Sequence, residues 1–381
     1  MKSFHLVKRV VWIVAIALIM AGAGGAIYLF SIRSRPSSSS ASPTPTLSPT
    51  SSPTEPEPEL PSIPVTLEAT LAEYTGAVHD IAIAPDGRTL VSAFNYSKIQ
   101  VWNLTDKTLK NTLPLPSLWI YALTISPNGE MLISAGWREI KIWRLSDGKL
   151  MHDFTAHLGA VYALAIALDN RILVTGGGDG KIGVWDIRQD AQGNVSQSAI
   201  TTISAHAKAV RSVAIDPDRR FLVSGGDRWV KVWRWEAQGR LKQSPLYVLE
   251  GHANDIRALA IAPDGRTLAS GSLDRTVKLW DLETGALVQT LESHKGPVLS
   301  MTIHPSGKLL ATGGGDDMIY LWWLDRDRDG QIRGRQVATI TDHSGPVKSL
   351  LFADNGRLLI GGSNDKTIKI WRLPELSTIQ P

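Results

Sequence analysis

Residues 259–281 read LAIAPDGRTLASGSLDRTVKLWD. Two short apolar runs flank Pro263-Asp264-Gly265, where proline presets the backbone for a turn and glycine relieves its exit. The strand that carries Trp280 is apolar on both faces, which suits a sheet sandwiched between neighbouring sheets and not one that faces water. Nearly the same wording occurs at 81–92, IAIAPDGRTLVS, and similar turns occur at Pro127-Asn128-Gly129 and Pro305-Ser306-Gly307. A repeat of short strands is therefore the first hypothesis.

Working outward, the strand ends VWNL, IWRL, VWDI, VWRW, LWDL, LWWL and IWRL align on Trp102, Trp143, Trp185, Trp233, Trp280, Trp322 and Trp371. Their spacings are 41, 42, 48, 47, 42 and 49 residues, which gives seven units. VTLEATL at 65–71 precedes the first complete unit, and no outer strand has room after Trp371. Leu71 aligns with Leu113, Phe154, Ile203, Leu249, Leu291 and Ile340 at the ends of the outer strands. Residues 65–71 are thus expected to complete the last unit and remove an exposed sheet edge.

Over residues 65–373 the chain resembles the WD-repeat (tryptophan-aspartate repeat) β-propeller family. The family's histidine position is filled by His157, His206, His252, His294 and His343, and its aspartate by Asp179, Asp227, Asp274, Asp316 and Asp365, each six residues before a tryptophan. Thr175, Ser224, Ser270 and Thr312 supply the hydroxyl, and Gly361 stands there in the last repeat. The resemblance implies an all-β, seven-bladed β-propeller of four-stranded antiparallel blades. Recurrence of the His, hydroxyl and Asp set at one spacing marks a hydrogen-bonded scaffold, not a catalytic triad.

The first two repeats depart from the pattern. Tyr74 and Pro116 replace the histidine, and Tyr96 and Trp137 replace the aspartate. These aromatics are expected either to fill the space of the missing polar network or to form part of a binding surface. The family's upper face implies a partner site at residues flanking the start of each inner strand: His79, Trp119, Tyr121, Tyr162, Arg211, Asp255, Arg257, Leu299 and Lys348. Aromatics gather in the early repeats and cations in the later ones, so the expected site places aromatic anchors beside an anion-accepting arc.

Residues 10–30, VVWIVAIALIMAGAGGAIYLF, contain no charge and are long enough to cross a bilayer. They are expected to form a transmembrane helix or signal anchor behind the basic residues 1–9. The competing expectation is a cleaved signal peptide, with Ala21-Gly22-Ala23 as the cleavage site and a secreted product. Lys2, Lys8 and Arg9 precede the span and Arg33 and Arg35 follow it, which favours a cytoplasmic N-terminus and an extracytoplasmic propeller. Residues 31–64 read as a disordered linker, because positions 36–64 hold nine prolines, nine serines and four threonines. Residues 374–381 are left as a tail.

Composition narrows the function. Setting aside the five Lys/Arg and three Asp/Glu of residues 1–60 leaves 35 against 33, and no cationic stripe with interleaved aromatics argues for nucleic acid. Without cysteine there is no disulfide, thiol catalysis or thiolate metal site. GDGKIG at 178–183 fits a dinucleotide-loop expression, but it continues as a strand where a helix is required. LDRDRDGQIRG at 324–334 matches half of a calcium loop through Asp325, Asp327, Asp329 and Gly330. The closing ligand position is Gln336, and four arginines accompany three carboxylates, so a charged hairpin is the favoured reading and no cofactor is assigned. The expectation is a non-enzymatic, membrane-tethered, monomeric scaffold for a protein or peptide partner. A funnel-site enzyme and a glycan- or cell-wall-binding module are the alternatives.

Overall fold

The computed structural model of the chain describes residues 62–71, 76–94, 98–114, 119–190 and 192–376. The expectations for residues 10–30, and for Tyr74, Tyr96 and Pro116, lie outside the described residues. Among the described residues no helix is long and apolar enough to cross a membrane. The regular structure of the described residues is antiparallel strand, with two single-turn 3₁₀ segments at Ala237–Gly239 and Asp354–Gly356.

The repeats build up antiparallel strands joined by tight turns. In the fifth, Ile256–Ile261, Thr267–Ser272, Val277–Asp281 and Leu287–Leu291 pair in sequence order. Asp264 caps the first turn by accepting the N–H groups of Arg266 and Thr267, and Gly265 takes φ +62° at its exit. Repeats 2 and 3 run into one seven-stranded sheet, because Leu150–Ile166 is continuous. Its first half pairs with Trp137–Arg144, and its second half with Ile172–Gly177. The strand Thr66–Leu71 pairs with Ile368–Arg372 and completes the last sheet as its fourth strand.

The first strands follow one another in order. Val78–Ile83 packs beside Ala122–Ile125, and the series continues through Val347–Ala353, which packs beside Val78–Ile83 again. Among the described residues the buried apolar side chains form seven clusters, each shared by two consecutive repeats. One joins the last sheet to the first through Leu71, Val78, Leu90 and Trp102 with Ile360, Ile368 and Ile370. This explains why the Trp strands are apolar on both faces: each face meets a different neighbour.

The folded region extends past the expected boundaries at both ends. Ile63 is buried among Trp323, Trp371 and Leu373, and its N–H donates to the Val337 carbonyl at 3.3 Å. Leu376 is buried in the same cluster, so residues 62–64 are not linker and the tail begins later than residue 374.

Candidate functional site

The repeated polar residues fix the turns around the starts of the first strands. In repeat 3 the Nδ1 of His157 lies 3.0 Å from Asp179, its Nε2 lies 2.7 Å from the Thr175 hydroxyl, and Trp185 Nε1–H donates to that hydroxyl at 3.0 Å. Asp179 also accepts the N–H of Leu158. The chain closes if the neutral imidazole carries its proton on Nδ1: carboxylate, imidazole, hydroxyl and indole then satisfy one another. His206, His252 and His294 repeat this arrangement with Asp227, Asp274 and Asp316. A Cβ on Gly177 or Gly314 would overlap the His–Asp pair, so glycine is needed beside it.

Burial pushes these carboxyls up, but hydrogen bonds from histidine and backbone N–H outweigh it and hold all five below the ordinary carboxylate range. Burial also holds His157, His206, His294 and His343 below the usual imidazole range despite the adjacent carboxylates. The last repeat lacks the hydroxyl at Gly361. His343 Nε2 is buried without a partner, and Trp371 Nε1–H turns instead to Asp342 at 2.6 Å. Repeats 1 and 2 keep half of the chain, with Trp102 donating to Ser92 and Trp143 to Ser134.

A regular defect in the first strands builds the candidate site. Strand pairing skips His79, Tyr162, Arg257, Leu299 and Lys348, each the extra residue of a β-bulge. Tyr121 and Arg211 occupy the same place just before their strands, each donating its N–H to the carbonyl that the bulge leaves available, Ala135 and Gly225. A bulge turns the extra side chain away from the regular alternation. All seven side chains consequently meet in the wall of one cavity of about 420 Å³, to which every repeat contributes.

The wall is asymmetric. Tyr121 and Tyr162 meet edge to face at 5.1 Å, and the Arg211 guanidinium lies 3.7 Å above the Tyr162 ring. Burial holds Arg257 below its ordinary range, with Arg211 adding repulsion, and burial with Arg257 nearby does the same to Lys348. Burial pushes the Tyr121 hydroxyl up. Of the nine expected residues, two lie outside the wall. Trp119 stands edge-on to His79 at 6.3 Å and is 47% exposed. Asp255 accepts a hydrogen bond from Lys208 at 2.8 Å.

One charged residue of the wall was not expected. Asp80 Oδ1 accepts the Ser349 hydroxyl at 2.7 Å and the Ile81 N–H at 2.9 Å, while Oδ2 accepts the Leu123 N–H at 2.8 Å. It therefore ties repeat 1 to repeats 7 and 2. Burial pushes its carboxyl up to about 6 against these hydrogen bonds. The signal was in the sequence: the residue after each bulge position is Asp80, Ala122, Ala163, Ser212, Ala258, Ser300 or Ser349, and only one of them is charged.

Seven segments, residues 66–103, 107–144, 148–186, 197–234, 243–281, 285–322 and 334–372, match the family model of the WD domain, G-beta repeat. The chain belongs to the WD40 family. WD40 repeats generally act as protein-interaction scaffolds and are typically non-enzymatic. No curated protein matches the chain.

Two expectations about individual WD40 repeats are resolved by the geometry. Trp137 does not fill the space of the missing aspartate: it is 56% exposed at the start of its strand. In repeat 6 the three aspartates of the calcium-like loop do not converge. Asp325 pairs with Arg335 and Asp327 with Arg333, and Asp327 also accepts the N–H groups of Asp329 and Gln331. The segment is a hairpin turn between Ile319–Arg326 and Ile332–Ile340, and no group of metal-ligating side chains occurs among the described residues.

Proposed function

We propose that this WD40 chain is a seven-bladed β-propeller that binds a protein or peptide partner at the mouth of its central cavity and performs no catalysis. One observation carries the reading: residues from one equivalent position in all seven repeats line the cavity, among them Tyr121, Tyr162 with Arg211 over its ring, Arg257 and Lys348, and exposed Trp119 stands beside His79. Tyrosine, tryptophan and arginine bury much area while losing little side-chain entropy, so they suit interface anchors. Residues 10–30 hold the propeller at the membrane on its outer side, and the proline-rich stretch that follows serves as a stalk.

The test is capture of the partner by cross-linking of intact membranes. Trp119→Ala combined with Tyr121→Ala lowers the yield and leaves the melting curve in place; unchanged capture removes this site. Protease digestion of intact cells checks the topology, because an outward-facing propeller is cut without lysis. Asp80 keeps an enzymatic reading in play, since a carboxyl raised to about 6 in a cavity wall is a candidate proton carrier. Its oxygens are nevertheless engaged by three donors of the wall, which favours a structural role. A hydrolase screen that found turnover abolished by Asp80→Asn would reverse this assignment.

A further inference from the structure

The cavity mouth holds more positive charge than the fold requires. Arg211, Arg257 and Lys348 come from repeats 4, 5 and 7 and face one space. None forms an ion pair with a carboxylate among the described residues. Asp255 is engaged by Lys208, and the oxygens of Asp80 bond to Ser349, Ile81 and Leu123. Arg257 Nε is shielded from solvent and has no hydrogen-bond partner. Like charges gathered without a direct ion-pair partner cost free energy, and a buried guanidinium N–H without an acceptor adds to that cost. The Arg211 guanidinium carbon lies 3.7 Å from the centroid of the Tyr162 ring, a cation–π contact that holds the group in the cavity wall.

We infer that the mouth of the central cavity is a seat for a multiply charged oxyanion, gripped by Arg211, Arg257 and Lys348. Two guanidinium forks and an ammonium provide directed donors for carboxylate or phosphate oxygens. An incoming anion supplies the missing acceptor to Arg257 and relieves the mutual repulsion of the three cations. The inference rests on the proposed partner site in one respect: when the anion belongs to a protein, it belongs to the segment that docks on Trp119 and Tyr121. Acidic side chains of that segment and a free small oxyanion share the same chemistry.

The experiment is calorimetric titration of the full chain in mild detergent with pyrophosphate and, separately, with a hexaglutamate peptide. Saturable binding of pyrophosphate alone identifies a small-oxyanion seat, and tighter binding of the peptide identifies an acidic docking segment; both support the inference. Arg211→Gln and Arg257→Gln are each expected to weaken binding about tenfold, the effect of losing one charge-assisted contact. Lys110→Gln, away from the cavity wall, leaves binding unchanged. Added salt weakens binding through screening. No saturable binding of either probe, or equal losses in Lys110→Gln and the two arginine variants, overturns the inference. Because neither probe contains the partner, the seat and partner capture fail independently.

Discussion

At the scale of single residues, two departures from the repeat have measurable consequences. Asp80 occupies a position that is alanine or serine in the other repeats, and burial raises its carboxyl from 3.8 to about 6. The folded chain therefore takes up this proton more readily than the unfolded chain. The group's contribution to stability is fully present below about 3.8 and is lost as pH rises through about 6. The lowered carboxyls and histidines of the repeated polar chains act in the opposite sense and weaken the fold as pH falls, so a difference measurement is required. Denaturant unfolding of Asp80→Asn and the unaltered chain should show the variant gaining relative stability between about pH 4 and pH 7, by at most about 3 kcal/mol. The second departure is the pair Gly361 and Asp342. Asp342→Ala leaves the Trp371 indole N–H buried without an acceptor, which should cost about 1–3 kcal/mol in the same assay.

At the scale of the element, the Trp strand is the core of each repeat. Trp280 is buried and its N–H ends on Ser270, so Trp280→Ala should cost about 3–5 kcal/mol through cavity formation and lost packing. Thermal unfolding followed by calorimetry checks it. These strands were legible in the sequence because the tryptophan, the six-residue offset to aspartate and the Pro-Asp-Gly type turns recur. The mouth residues were legible by position, since they flank the starts of the first strands. The bulge that turns them inward was not, because pairing register depends on the neighbouring strand and leaves no mark on composition. Asp80 was overlooked because attention to large exposed types passes over a column of small residues. For Trp137 the sequence left burial and a surface position both open, and its place at a strand start leads outward. Ile63 was hidden by the proline and serine around it.

At the scale of the molecule, the last sheet draws its fourth strand from the far end of the chain. Thr66–Leu71 pairs with Ile368–Arg372, and Lys369 Nζ reaches the Thr70 hydroxyl across 299 residues. Such a contact is made late, because closing so long a loop costs entropy before the pairing compensates. Without it the backbone edge of Ile368–Arg372 stands open, and Leu71 and Ile63 leave two clusters at about 1.5–3 kcal/mol each. A chain beginning at Glu57 should melt in one cooperative transition, whereas one beginning at Gly76 should melt earlier and self-associate through the open edge. Calorimetry and size-exclusion chromatography distinguish the two. A synthetic peptide of residues 62–75 should restore the shorter chain if the missing strand is the whole defect. Identical melting of the two chains would mean that this strand contributes nothing to holding the last sheet against the first.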